Sequence, residues 1–300
     1  MSYEGPESEA ARPRRTRRAL TITSAALVPV ALLGWLAYSA LGDEPRRPAG
    51  AASPAPSAPA APAAPGGKAS PSAGGDSLAG KVVVIDPGHN EDNFRHTAEI
   101  NRQVDVGNGK KECDTTGTST DAGYPEATFT LDLAHRLRTL LEKRGATVKL
   151  THDGDRAWGP CVDERARIGN KAHADAAISL HADGSAQGNR GFHVIMPGPV
   201  HAGAADTRPI VAPSAKLGER VAGGYRHATG EPFSNYLGDG TGMVTRTDLG
   251  GLNLSTVPKV FIECGNMRDT SDVALLTSGP WRQKAAQGIS EGIVSFLHES

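Results

Sequence analysis

Neither sign of charge dominates this chain of 300 residues: 32 lysines and arginines stand against 33 aspartates and glutamates, and the pI is about 6.8. A bulk basic field able to recruit nucleic acid or another polyanion is therefore missing. No Gly-x-Ser-x-Gly elbow occurs, which leaves serine acyl-enzyme chemistry without its signature. No internal repeat appears, so the chain does not read as an array. The first eighty or so residues lack the composition to build a core, leaving roughly 220 for one ordinary folded domain.

What those first residues do contain concerns a membrane. Arg12, Arg14, Arg15, Arg17 and Arg18 crowd the end of a basic segment (residues 1–18), and residues 19–42 carry no charge. The uncharged stretch is long enough to span a hydrocarbon core needing about 20 apolar residues. The arginines place the N-terminus in the cytoplasm and export everything after Gly42, with Trp35 and Tyr38 near the outer interface. A cleavable signal peptide is the competing reading, with Ala37, Ser39 and Ala40 as a loose cleavage site. The catalytic part is thus expected outside the cytoplasm, anchored by this helix or secreted if it is cut. Residues 43–78 are almost entirely Ala, Pro, Ser and Gly, too poor in apolar surface to offset ordering entropy, and read as an extended tether.

From residue 79 to residue 300 the pattern changes. Residues 81–86 (Lys-Val-Val-Val-Ile-Asp) form the apolar run of a strand buried on both faces. Pro125 opens a helical pattern through Phe129, Leu133, Leu137 and Leu141, stopped at Gly145. A strand at 146–151, a helix at 162–174 and a strand at 176–181 follow. Further strands are read at 191–196 and 259–263, and helices at 215–229 and 278–298. The alternation predicts a single α/β domain.

Two histidines stand at strand ends. His89 follows Asp86-Pro87-Gly88, where the chain must turn, and His181 closes Ile178-Ser179-Leu180. Open α/β folds place ligands at this carboxyl edge. Glu126, in the first turn of its helix, can point into the same crevice, although a charge favourable to the helix dipole would look the same. Two imidazoles and one carboxylate make a common catalytic zinc set with a fourth position left for water. Glu263, after Val260-Phe261-Ile262, is placed to carry a proton; a buried, salt-bridged glutamate is the alternative.

In order along the chain stand Val-Ile-Asp86-Pro-Gly-His89, Glu126, Arg165 with Asn170, Ser179-Leu-His181-Ala, and Ile262-Glu263-Cys-Gly-Asn266. Together they resemble the zinc-dependent N-acetylmuramoyl-L-alanine amidases of the Amidase_3 family over about residues 80–298. The resemblance implies a mixed, mostly parallel sheet flanked by helices in a monomeric catalytic domain. It implies Zn2+ on His89, Glu126 and His181, and Glu263 as general base and acid. The reaction it implies cuts the amide between the lactyl group of N-acetylmuramic acid and L-alanine in peptidoglycan stem peptides. A non-catalytic peptidoglycan-binding module and a zinc peptidase cutting within the stem peptide are the alternatives.

Departures from the family pattern are also informative. Residues 90–121 form a long polar insert containing Cys113, similar to the mycobacterial and actinobacterial branch, where a disulfide ties such a loop. Of the three cysteines, Cys113 and Cys161 are then the expected pair in an oxidising compartment. Cys264, beside Glu263, should face the core, because neighbouring strand residues point to opposite faces. Arg165 is expected to hold carboxylates such as Asp86 or Glu126. Arg246, with Asn253 following in Leu249-Gly-Gly-Leu-Asn253, falls in the segment that lines the substrate groove of relatives, where Arg246 could meet a stem-peptide carboxylate. The other histidines, His193 among them, read as surface or packing residues.

Overall fold

A computed structural model describes residues 77–299. The basic N-terminus, the apolar stretch at 19–42 and nearly all of the linker lie outside the described residues. Among the described residues no helix is long and apolar enough to cross a membrane.

The chain runs through β1 (Val82–Pro87), α1 (Thr97–Ile100), β2 (Gln103–Asp105), β3 (Lys110–Glu112), α2 (Glu126–Lys143), β4 (Thr147–Leu150), α3 (Val162–Lys171), β5 (Ala176–Asp183) and β6 (His193–Pro197). It continues through β7 (His201–Ala202), β8 (Ala205–Asp206), α4 (Val211–Thr229), β9 (Met243–Arg246), α5 (Gly250–Asn253), β10 (Lys259–Asn266), α6 (Thr270–Leu276) and α7 (Gly279–His298). Six strands form one sheet in the order β4-β1-β5-β10-β6-β9. The first four are parallel, β6 is antiparallel to β10, and β9 is parallel to β6. This is the mixed, mostly parallel α/β sheet expected from the sequence.

Strand periodicity sorts the sheet into two unlike faces. Val83 and Ile85, Ile178 and Leu180, Val260 and Ile262 point to one side and join Phe129, Leu133, Leu137 and Leu141 of α2 in the main core. Each such side chain contributes about 1.5–3 kcal/mol on full burial. Cys264 belongs to this core too. The helix α2 follows Pro125 in extended conformation and stops where Gly145 adopts a φ of +93°, as its end signals foretold. Helices α4 and α7 cover the same face and meet through glycine: a Cβ on Gly224 would stand 2.3 Å from the Gly288 carbonyl.

Several bounds differ from the sequence reading. Strands β5 and β10 run on to Asp183 and Asn266, so His181 and Glu263 lie inside strands rather than at their last residues. Past Glu263 the β10 register shifts against β5, a bulge of the kind that re-aims side chains next to sites. Helix α4 begins at Val211; Pro213 is tolerated because the first turn needs no donor from it. Strand β9 escaped notice because it is short and half exposed, with no alternation to mark it.

The opposite face is polar where it matters. Asp86, Ser179 and Lys259 alternate with the core residues of β1, β5 and β10, and the Asp86 carboxylate, fully buried, is their common point. Its Oδ1 accepts from Thr151 Oγ1 at 2.8 Å and Arg165 Nη1 at 2.8 Å. Its Oδ2 accepts from Ser179 Oγ at 2.9 Å and Lys259 Nζ at 2.9 Å. Burial alone would raise the pKa of this carboxyl, but Lys259 and Arg165 override burial and hold it far below the usual carboxylate range.

Removing Asp86 would strand two buried cations. Asp86→Asn should lower the unfolding free energy by about 3–5 kcal/mol at pH 7 in a denaturant titration. Because the folded pKa is depressed, this stabilisation is complete above the unfolded carboxyl pKa of about 3.9 and declines as pH falls below it. The gap between wild type and variant should therefore narrow between pH 5 and pH 3, and a gap that widens would contradict the assignment.

Candidate metal centre and active site

His89, Glu126 and His181 arrive from β1, α2 and β5 and bring one potential ligand atom each to within 4.8 Å of one another. His89 adopts a φ of +64°, a costly conformation for a residue with a Cβ. Arg165 helps to hold that turn, donating from Nη2 to the His89 carbonyl at 3.0 Å and from Nη1 to the Pro87 carbonyl at 2.5 Å. The His89 Nε2 faces Glu126 Oε1 at 3.2 Å, while Nδ1 faces the Thr115 carbonyl at 3.1 Å and Asp114 Oδ1 at 3.5 Å. His181 turns the other way: Nδ1 lies 2.9 Å from Glu126 Oε1 and Nε2 lies 3.2 Å from Ser179 Oγ. With Nδ1 given to a metal, Nε2 keeps its proton for Ser179, whose hydroxyl donates to Asp86.

Glu126 is held from the backbone. Its Oε2 accepts from the Thr118 amide at 2.9 Å and its Oε1 from the Ala182 amide at 3.2 Å. Burial would raise its pKa, but His89 and His181 lower it to well under the usual carboxylate range. Burial would likewise lower His89, yet the Glu126 and Asp114 carboxylates reverse that and raise the imidazole to about 10. The site thus stabilises positive charge between these residues, which is what a divalent cation brings, and its donors are those of a zinc or similar transition-metal site.

Glu263 faces the same cavity, of about 510 Å³, together with Asp183, Ile195, Arg246, Phe261 and Arg268. The His181 ring stacks on Phe261 with centroids 5.2 Å apart. Burial first, then the charges of Glu126 and Asp183, push Glu263 well above the ordinary carboxylate range. A dication among the three ligands would oppose that trend. Among the described residues no hydrogen bond reaches Glu263 Oε2, although the atom is buried.

Comparison with known proteins agrees with this geometry. Residues 83–295 match the family described as N-acetylmuramoyl-L-alanine amidase. The chain belongs to that family. It is 42% identical over 229 residues to the N-acetylmuramoyl-L-alanine amidase Rv3717 of Mycobacterium tuberculosis, covering 76% of this chain and 91% of that protein. The crystal structure of the amidase Ami1 from Mycobacterium smegmatis is similar at a TM-score of 0.68 and 40% identity, covering 75% of this chain and all of that one. Ami1 from Mycobacterium abscessus gives 0.66 and 41%, covering 73% of this chain and all of that one.

In this amidase domain the expected disulfide is present: Cys113 and Cys161 are bonded, 48 residues apart in sequence. Arg165 does hold Asp86, but its second carboxylate is Asp114 at 2.9 Å, not Glu126, which the two imidazoles and the backbone already engage. Arg246 stands on the cavity wall with both guanidinium edges on Asp248, at 2.8 and 2.6 Å. Asn253 does not line the groove. It is buried, and its Nδ2 donates to the Val106 and Thr247 carbonyls and to Asn108 Oδ1. The residue fastens the β2–β3 hairpin to the α5 segment, a structural duty in place of a substrate contact.

The individual residues that the insert contributes were not singled out in the sequence. Asp114, Thr115, Gly117 and Thr118 all touch metal-ligating side chains or the cavity. The one available sign was that Asp114 directly follows a cysteine expected to be tied to α3. Ser179 is the support of His181, a role its two-residue spacing on one strand face allows.

Gly117 passes directly over the ligands at a φ of +72°, and a Cβ there would stand 2.7 Å from His89 Cδ2 and 2.8 Å from Glu126 Oε2. Gly117→Ala should therefore weaken metal binding by about tenfold or more in a competitive zinc titration, the size seen when ligand supports are disturbed, with an unchanged far-ultraviolet circular dichroism spectrum. Wild-type affinity in that variant would show that the loop has room to give.

Proposed function

We infer that the protein is an N-acetylmuramoyl-L-alanine amidase, a hydrolase that cuts the amide between N-acetylmuramic acid and L-alanine of peptidoglycan stem peptides. The observation that carries this reading is the convergence of His89, Glu126 and His181 beside Glu263 in one cavity, within a chain of the amidase family.

We further propose that the metal is Zn2+. Bound there, it would supply Lewis acidity, polarising the scissile carbonyl and acidifying water. Glu263 takes the proton of the attacking water and returns it to the leaving amine. The Phe261 ring, stacked on His181, shields the imidazole on its flank. Arg246 offers a cation to a stem-peptide carboxylate, for which Asp248 is the resting partner. Asp86, through Ser179 and Arg165, keeps His181 and the His89 turn in place.

The proposal extends to location. The five arginines ahead of residues 19–42 support an extracytoplasmic catalytic domain, anchored to the membrane by that segment or released if it is cleaved. The Cys113–Cys161 bridge fits an oxidising compartment. A monomeric catalytic domain is the proposed working form.

Product analysis decides between this function and its alternatives. Purified full-length protein incubated with muropeptides should release intact stem peptides beginning at L-alanine, and a chelator should abolish that release until zinc is restored. Fragments cut within the peptide would instead mark a peptidase, and no metal-dependent product a binding module. Glu263→Ala should keep its zinc and lose at least about a hundredfold in kcat; full turnover in that variant would remove Glu263 from the role.

A further inference from the structure

His193 is an unexplained residue of the catalytic side. Although the residue is 1% exposed, no hydrogen bond from the described residues reaches its Nδ1. An unpartnered polar atom in the interior is destabilising, and proteins keep few of them. The Tyr236 ring meets the imidazole edge-on at 6.0 Å between centroids.

Its position gives the orphan a meaning. In the antiparallel pairing of β6 with β10, His193 stands directly opposite Glu263. Facing residues of an antiparallel pair project from the same side of the sheet, with Cβ atoms about 4.5–5.5 Å apart. The neighbouring pair on the same face, Ile195 and Phe261, lines the active-site cavity. Glu263 Oε2 is itself buried and without a hydrogen bond. Cross-strand neighbours on one face thus each carry a buried orphan atom, one able to donate and the other able to accept, although the two atoms are not within hydrogen-bond distance of each other.

We propose that His193 is a positioning residue for Glu263, its Nδ1–H donating to Glu263 Oε2 and orienting the carboxylate toward the attacking water. The pairing rests on the amidase reading of the site. Burial, with Arg246 nearby, pushes the imidazole down to about 4 despite the Asp183 carboxylate, so at neutral pH it can donate a hydrogen bond without adding a charge. A neutral donor suits a base that must gain and lose a proton each turnover, because a fixed cation would hold the carboxylate ionised.

The test pairs kinetics with spectroscopy on the zinc-loaded full-length enzyme. His193→Leu should lower kcat by about ten- to a hundredfold, the scale of lost supporting hydrogen bonds, with KM and zinc content unchanged. His193→Asn, whose Nδ2 takes roughly the place of the imidazole Nδ1, should recover most of that loss. Nitrogen-15 spectra of histidine-labelled protein should show the Nδ1–H tautomer at His193, with its resonance displaced by Glu263→Ala. Wild-type kcat in His193→Leu, no recovery in His193→Asn, or an Nε2–H tautomer insensitive to Glu263→Ala would each overturn the proposal. Should the wild type prove inactive on muropeptides, the spectra still report whether the pair exists, so failure of the amidase reading and failure of this one are separable.

Discussion

The carboxylate of Asp86 is the constraint on which the active side of this domain depends. Four hydrogen bonds from β5, β10, α3 and the residue after β4 converge on it. Its partners are the parts that aim the catalytic groups. Ser179 reaches His181, Arg165 holds the backbone of His89, and Lys259 lies on the strand that presents Glu263. Asp86 and Asp114 against Arg165 and Lys259 leave the buried cluster with no net charge, which is how four ionised side chains can share a dry interior. Stability and site geometry are therefore coupled through the same atoms.

The insert takes part in this arrangement. A polar segment of its composition would not order itself by apolar burial, and Ile100, Val104, Val106 and Cys113 are the insert's buried apolar residues. The disulfide does what the apolar surface cannot. Cys161 caps α3, four residues before Arg165, and Cys113 directly precedes Asp114. Bonding the two cysteines sets Asp114 against Arg165 and behind His89, so the bridge fixes a supporting residue of the metal ligand as well as a loop. Asn253 secures the far end of the same hairpin.

Legibility in the sequence followed range. Local signals carried the helices and strands that have them: Pro125 before α2, Gly145 after it, and the apolar run of β1. The ligand set was also readable, because each member sits at a defined place on its element, although only the ordered combination separated Glu126 from an ordinary helix-dipole charge. Contacts between distant segments were not readable. Nothing in Asp114 or Gly117 announces that the chain will fold back over His89, and Asn253 resembles a groove residue until the acceptors of its Nδ2 are found on the hairpin. The neighbour of His193 was unreadable for the same reason, since it lies across the sheet.

The two faces of the sheet explain where catalysis can reside. One face is filled by aliphatic and aromatic side chains of the strands and of α2, α4 and α7. On the other, strand residues of the same period are Asp86, Ser179, His181, Lys259, Phe261 and Glu263, so the polar cost is concentrated along three neighbouring strands. Near the buried end that cost is offset by full pairing around Asp86. Toward the carboxyl ends it is left partly unmet: His89 in a left-handed turn, Glu263 Oε2 and His193 Nδ1 without partners. A folded domain retains such features where substrate or metal completes them. The gradient from satisfied to unsatisfied polar groups along β1, β5 and β10 thus points from the scaffold to the chemistry.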